Sequence, residues 1–206
     1  MLGLFADTIY TLKLPFRWIY RKIFRRKGFG VQSPFAFLLV KNAIEEEQEY
    51  YAYQEITQEY EKKECSLTLK EIKLLYRLCL YHKAPLLFFA GKIEEIEKIS
   101  IQQALEGYLL FTRKNITGNI SCTLKSFIYI SLRKEGESLL TLYEDITPHI
   151  NERTMLVIYG IHLSYSFHRD WEKYVRIKGQ MSIDLFHFGI VFYSPHLSNV
   201  HYNIID

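Results

Sequence analysis

A set of short, mostly apolar runs, set apart by helix-length segments, constrains this chain more than any other feature. LLFFA (86–90), KSFIYIS (125–131) and TMLVIYG (154–160) lack the strict polar alternation of a strand with one wet face. Such runs suit strands buried on both sides, as in parallel sheets covered by helices. GYLLFT (107–112), QMSIDLF (180–186) and FGIVFYS (188–194) add further strands, the last two close enough to pair antiparallel, and HYNII (201–205) offers an edge strand. The intervening 68–81, 92–106, 137–150 and 164–177 read as helices. Strands alternating with helices predict an α/β fold: a three-layer, Rossmann-like, mostly parallel sheet with an antiparallel last strand and an N-terminal helical arm. Right-handed crossovers place ligand sites at the carboxyl ends of the strands, near the point where strand order reverses.

The first 64 residues differ in character from residues 65–206, which form the expected α/β domain. Residues 8–27 mix aromatic and aliphatic positions with seven basic ones. Phe16, Ile19, Tyr20, Ile23 and Phe24 fall at helical spacing, and Pro15 suits the first turn of that helix. Ser33 and Pro34 then read as the N-cap and first position of a second helix over 34–47. The stretch 45–64 is glutamate-rich and reads as a solvated helix or linker. Residues 1–44 carry eight Lys/Arg and one acid, whereas the remainder carries 18 basic and 22 acidic residues. A basic arm on a mildly acidic body speaks to partners rather than to fold.

The chain's 206 residues, 49% apolar and 24% charged, exclude a disordered chain and favour one full core. Cys65, Cys79 and Cys122 are odd in number and widely spaced. They predict reduced, inert thiols in a cytoplasmic protein rather than a disulfide framework or zinc site. No apolar run reaches the ~18 residues that a membrane span requires. His196, His201 and Asp206 fit no metal-ligand spacing, so no metal is expected.

Three stretches carry a family resemblance. Gly30-Val31-Gln32-Ser33-Pro34-Phe35 resembles the Gly-Val-His-Ser-Pro-Phe opening of a group of bacterial class I S-adenosylmethionine-dependent methyltransferases. Ile158-Tyr159-Gly160-Ile161-His162, with Trp171 in the next helix, resembles a strand end that reads Asp-Ile-His-Trp in that group. Ile183 to Phe192 is similar to the group's last strand pair. The resemblance covers about half of the chain. It implies an S-adenosylmethionine site over the first strands, with Gly91 and Asn115 as cofactor-binding positions and His162 as a catalytic one.

The departures fall on that site. Phe88-Phe89-Ala90-Gly91-Lys92 keeps one glycine, and Phe88 stands where an acid is expected. Arg113-Lys114-Asn115 follows the second strand where an acid should bind ribose. Ser131 ends the third strand and Gly160 the fourth, again in place of acids, and residues 112–126 are short for the pattern. The expectation is therefore a methyltransferase-like protein with a degenerate cofactor site, retained as a binding or interaction module. An active, divergent methyltransferase is the alternative.

Individual residues admit two readings each. His162 is a general base or substrate ligand, or a histidine holding a loop through a backbone hydrogen bond. Asp184, inside an apolar run, is a pKa-shifted acid, or a structural carboxylate capping amides or pairing with an arginine. Gly91 admits a ribose, or only makes a turn. The basic arm, with Arg17, Arg21, Lys22, Arg25 and Arg26, docks on an anionic membrane surface, contacts nucleic acid, or packs on the body.

Overall fold

The computed structural model describes residues 2–24, 31–105, 107–112, 124–134 and 136–204. A seven-stranded sheet runs in the order β2-β1-β3-β4-β6-β5-β7. The strands are β1 (Leu86–Gly91), β2 (Leu109–Thr112), β3 (Ser126–Ser131), β4 (Thr154–Tyr159), β5 (Met181–Asp184), β6 (Phe188–Phe192) and β7 (Val200–Asn203). All run parallel except β6, which lies antiparallel to both β4 and β5. The antiparallel strand is thus the penultimate one, inside the sheet. The last strand, β7, is a parallel edge, which corrects the expectation of an antiparallel last strand. The short β5–β6 connection forces the reversal: Phe186 takes a left-handed φ of 77° there.

Side chains along the central strands alternate between two cores, as the period of 2 requires. Leu87 and Phe89 of β1, Phe127 and Tyr129 of β3, and Met155 and Val157 of β4 face one core. Leu86 and Phe88, Ile128 and Ile130, and Leu156 and Ile158 face the other. The first core is covered by α2 (Pro34–Leu39, extended by a π-helical turn to Ile44), α3 (Ala52–Glu61), α4 (Leu69–His82) and α5 (Glu95–Gln103). The second is covered by α6 (Leu139–Ile146) and α7 (Tyr165–Asp170, continued by irregular turns to Lys178). The result is three layers around a mostly parallel sheet.

Local signals set the helix starts. Ser33 accepts from the Ala36 N–H, and Thr68 forms a reciprocal capping box with Glu71. The acidic stretch 45–64 contains α3, whose Tyr53 and Ile56 are buried in the first core beside Leu39 and Ile44. The helix of the basic arm, α1 (Leu2–Phe24), starts well before Pro15. Pro15 therefore lies inside it and leaves the Thr11 carbonyl without its ladder donor on an exposed side. No described helix is long and apolar enough to cross a membrane.

Candidate functional site

Two polar constellations lie at the carboxyl ends of the strands. The first lies where β1 and β3 end. β1 ends at Gly91, with φ +83°, where an added Cβ would stand 2.4 Å from the Ser131 carbonyl oxygen. The Lys92 N–H donates to that same oxygen at 3.1 Å, so the two strands stay stitched one residue past the end of β1. The conformational freedom of Gly91 is spent on this approach.

Glu97 of α5 is fully buried behind these ends. It accepts from the Tyr129 hydroxyl at 2.5 Å, from Ser131 Oγ at 2.7 Å and from Arg133 Nη2 at 3.0 Å. Arg133 also donates to Ser131 Oγ at 2.7 Å, pairs with Glu94 at 3.2 Å and lies over the Tyr159 ring at 5.1 Å. One guanidinium thus spans from the end of β3 to the start of α5. Burial pushes the Tyr129 hydroxyl well above its ordinary pKa, and the Glu97 charge adds to this, so Tyr129 stays a neutral donor.

Phe88 faces the second core, stacked on Phe111 and His149. Gly160 has φ +88°, and a Cβ there would lie 2.7 Å from Leu163 Cδ1. Beyond these ends a cleft of about 580 Å³ is bordered by Phe89, Gly91, Lys92, Lys98 and Thr112. Asn115 and Cys122 lie outside the described residues.

The second constellation joins α1 to the ends of β4 and β5. His162, just past β4, is 4% exposed, and Asp184 at the end of β5 is fully buried. His162 Nε2 lies 3.0 Å from Asp184 Oδ2, and His162 Nδ1 hydrogen-bonds the Tyr10 hydroxyl. Both ring nitrogens therefore bond side chains, not the backbone carbonyl expected of a loop-holding histidine. Arg21 Nη1 donates to Asp184 Oδ1 at 2.5 Å and its Nη2 to Oδ2 at 3.1 Å, a forked pair. The Phe186 N–H also donates to Oδ1 at 2.8 Å. Asp184 is thus the amide-capping, arginine-paired carboxylate of the structural reading. Burial alone would raise its pKa; the bonds and charge from His162 and Arg21 overturn that and hold it far below the usual carboxylate range.

His168 of α7 stacks on His162 with ring centroids 4.3 Å apart, and Arg17 Nη1 lies 3.3 Å from its Nε2. Burial, then the neighbouring His162, lowers its pKa to about 3, so it is neutral at neutral pH. Nitrogens of His162 and His168 and an oxygen of Asp184 lie within 4.8 Å of one another, a donor set of the type that binds transition metals. Here, however, both Asp184 oxygens are already bonded, and the guanidiniums of Arg21 and Arg17 stand beside the donors. A metal ion would have to displace Arg21 first.

A scan against protein-family models, a search of curated proteins and a search of solved structures all find no match for this chain.

The two constellations recruit Tyr10, Glu97 and Arg133, which the sequence left unremarked, and turn Arg17 and Arg21 of the basic arm onto the body. Tyr10, Arg17 and Arg21 share one face of α1 at spacings of seven and four. That spacing was the available signal, but it named no partner on the body. Glu97 and Arg133 carried none beyond the Glu94/Glu97 capping box of α5. His201 donates to or accepts from Ser182 Oγ at 2.9 Å, away from both constellations. Of the arm's basic residues, Arg21 is turned inward, Arg17 lies over the Tyr10 ring, and Lys22 stands 4.4 Å above Trp18. Arg25 and Arg26 lie outside the described residues.

Proposed function

We propose that this protein is a methyltransferase-like scaffold with a degenerate S-adenosylmethionine site, acting as a non-catalytic binding or interaction module. The observation that carries the reading is the span of Arg133 across the carboxyl ends of β1 and β3 to Glu97 and Glu94. This is the crevice in which open α/β sheets bind their ligands. Here Tyr129, Ser131 and Arg133 all bond to Glu97, and Arg133 bonds to Ser131 as well.

The residues do not fit the cofactor. The glycine that should let a ribose approach is committed to the Ser131 carbonyl. Phe88, at the position of an expected acid, packs in the core. The Ser131 hydroxyl is bound to Glu97, and no side chain fits at Gly160. His162, the remaining catalytic candidate, is enclosed by Tyr10 and Asp184. No transfer step is derived through these groups.

Thermal unfolding with S-adenosylmethionine and S-adenosylhomocysteine tests the reading. A ligand that binds only the native state raises the midpoint as its concentration grows. The scaffold reading expects no shift with either ligand at millimolar concentration. A rise that grows with concentration would support the active, divergent enzyme instead.

A further inference from the structure

Helix α1 is held to the body by polar and aromatic contacts along one face. Asp7 accepts from the Tyr165 N–H at 2.8 Å, Tyr10 meets His162, and Arg21 meets Asp184. The opposite face is apolar and uncovered. Ile9, Leu12, Phe16, Ile19 and Ile23 recur at spacings of 3, 4, 3 and 4 and are each between 45 and 75% exposed. In sequence the same spacing continues back to Phe5 and Leu2. From Ile9 to Ile23 the stripe runs about 21 Å along one line of the helix. An amphipathic helix of a globular domain turns such a stripe to the core; this one turns it to water.

The rim of the stripe decides what covers it. Lys13 and Tyr20 border one side and Lys22 the other, with Trp18 beneath Lys22. The sequence has no Asp or Glu from residue 8 to residue 44, and Arg25, Arg26 and Lys27 follow the helix. A second copy of α1 would bring only like charges to that rim, in either orientation. An anionic surface complements it. We infer that α1 lies in the plane of an anionic lipid bilayer, with Ile9, Leu12, Phe16, Ile19 and Ile23 among the acyl chains and Lys13 and Lys22 at the phosphates. Arg21 takes no part, because it is committed to Asp184. The inference is independent of the cofactor reading.

Sedimentation of the full chain with phosphatidylcholine vesicles containing about a third phosphatidylglycerol tests it. The expected result is that the protein pellets with these vesicles, much less with phosphatidylcholine alone, and less again at high salt. Phe16→Glu combined with Ile19→Glu changes only exposed positions, so its thermal midpoint stays near that of the wild type. It should bind the vesicles at least tenfold more weakly. Lys13→Glu combined with Lys22→Glu should weaken binding to the anionic vesicles alone. Wild-type protein left in the supernatant, equal binding to both vesicle types, or undiminished binding of the Phe16/Ile19 variant would each overturn the inference. So would a solution dimer that the same variant dissociates, since a second copy would then cover the stripe.

Discussion

Arg21 Nη1 lies 2.5 Å from Asp184 Oδ1, and this pair ties the N-terminal helix to the end of β5 across 163 residues of sequence. Asp184 is fully buried and Arg21 nearly so. A buried pair gains little over an apolar replacement of both partners, but losing one partner strands the other charge, at about 3–5 kcal/mol. Arg21→Met should therefore lower the unfolding free energy by about 3 kcal/mol and expose α1 to proteolysis. Asp184→Asn should cost about as much. Urea unfolding of both single variants and the double variant gives the coupling. The double variant should be much less destabilised than the sum of the singles.

Arg133→Met should lower the unfolding free energy by about 3 kcal/mol, because it strands the fully buried Glu97 carboxylate with the Tyr129 and Ser131 hydroxyls and no counter-charge within the core. Chemical denaturation of the variant beside wild type checks this.

Gly91→Ala should destabilise the fold by at least about 2 kcal/mol, through left-handed backbone strain and the clash with the Ser131 carbonyl. Gly189→Ala should be damaging for a different reason: its Cβ would stand 2.7 Å from the Trp171 ring at ordinary backbone angles. Thermal melts without any ligand suffice for both.

Acid should weaken the fold in two stages. The pKa of His82 is lowered to about 4 and that of His168 to about 3, in each case first by burial. A histidine with a depressed folded pKa imposes no penalty above its unfolded value of ~6.5. Below it, the unfolded chain binds the proton and the folded one does not, so stability falls with pH until the folded value is reached. His82 donates from Nε2 to the Ser126 carbonyl at 3.0 Å and should contribute a slope of about 1.4 kcal/mol per pH unit between pH 6.5 and 4. Asp184 adds a second loss only below the unfolded carboxylate value of ~3.9, again because its folded pKa is depressed. His82→Gln should roughly halve the slope of the upper window, where His168 still contributes, and leave the lower one unchanged, as read from thermal midpoints across pH.

The fold was legible because its signals are local. LLFFA, SFIYIS and TMLVIYG sit in β1, β3 and β4 within a residue or two, and the Thr68 cap starts α4 as expected. The direction of the last strand was not legible. The antiparallel pairing of β5 with β6 and the edge position of β7 were legible, but the parallel direction of β7 depends on where the chain returns after β6. Pro15 misled because its preference for a first turn is only a tendency, which the flanking helical pattern outweighed.

The candidate site was legible in part. Asp184 inside an apolar run announced a partner, and an arginine was one of the expected kinds. That the arginine is Arg21 is a tertiary fact with no trace in local sequence. The same holds for Glu97 and Arg133, 36 residues apart, whose meeting depends on the β1–β3 register.

The most direct test of the central claim is calorimetric titration of S-adenosylhomocysteine into the purified protein. The commitment of Gly91 to the Ser131 carbonyl, and of Ser131 and Arg133 to Glu97, predicts no binding heat at millimolar ligand. One-to-one binding with a micromolar Kd would contradict the account and place a working cofactor site beside Arg133.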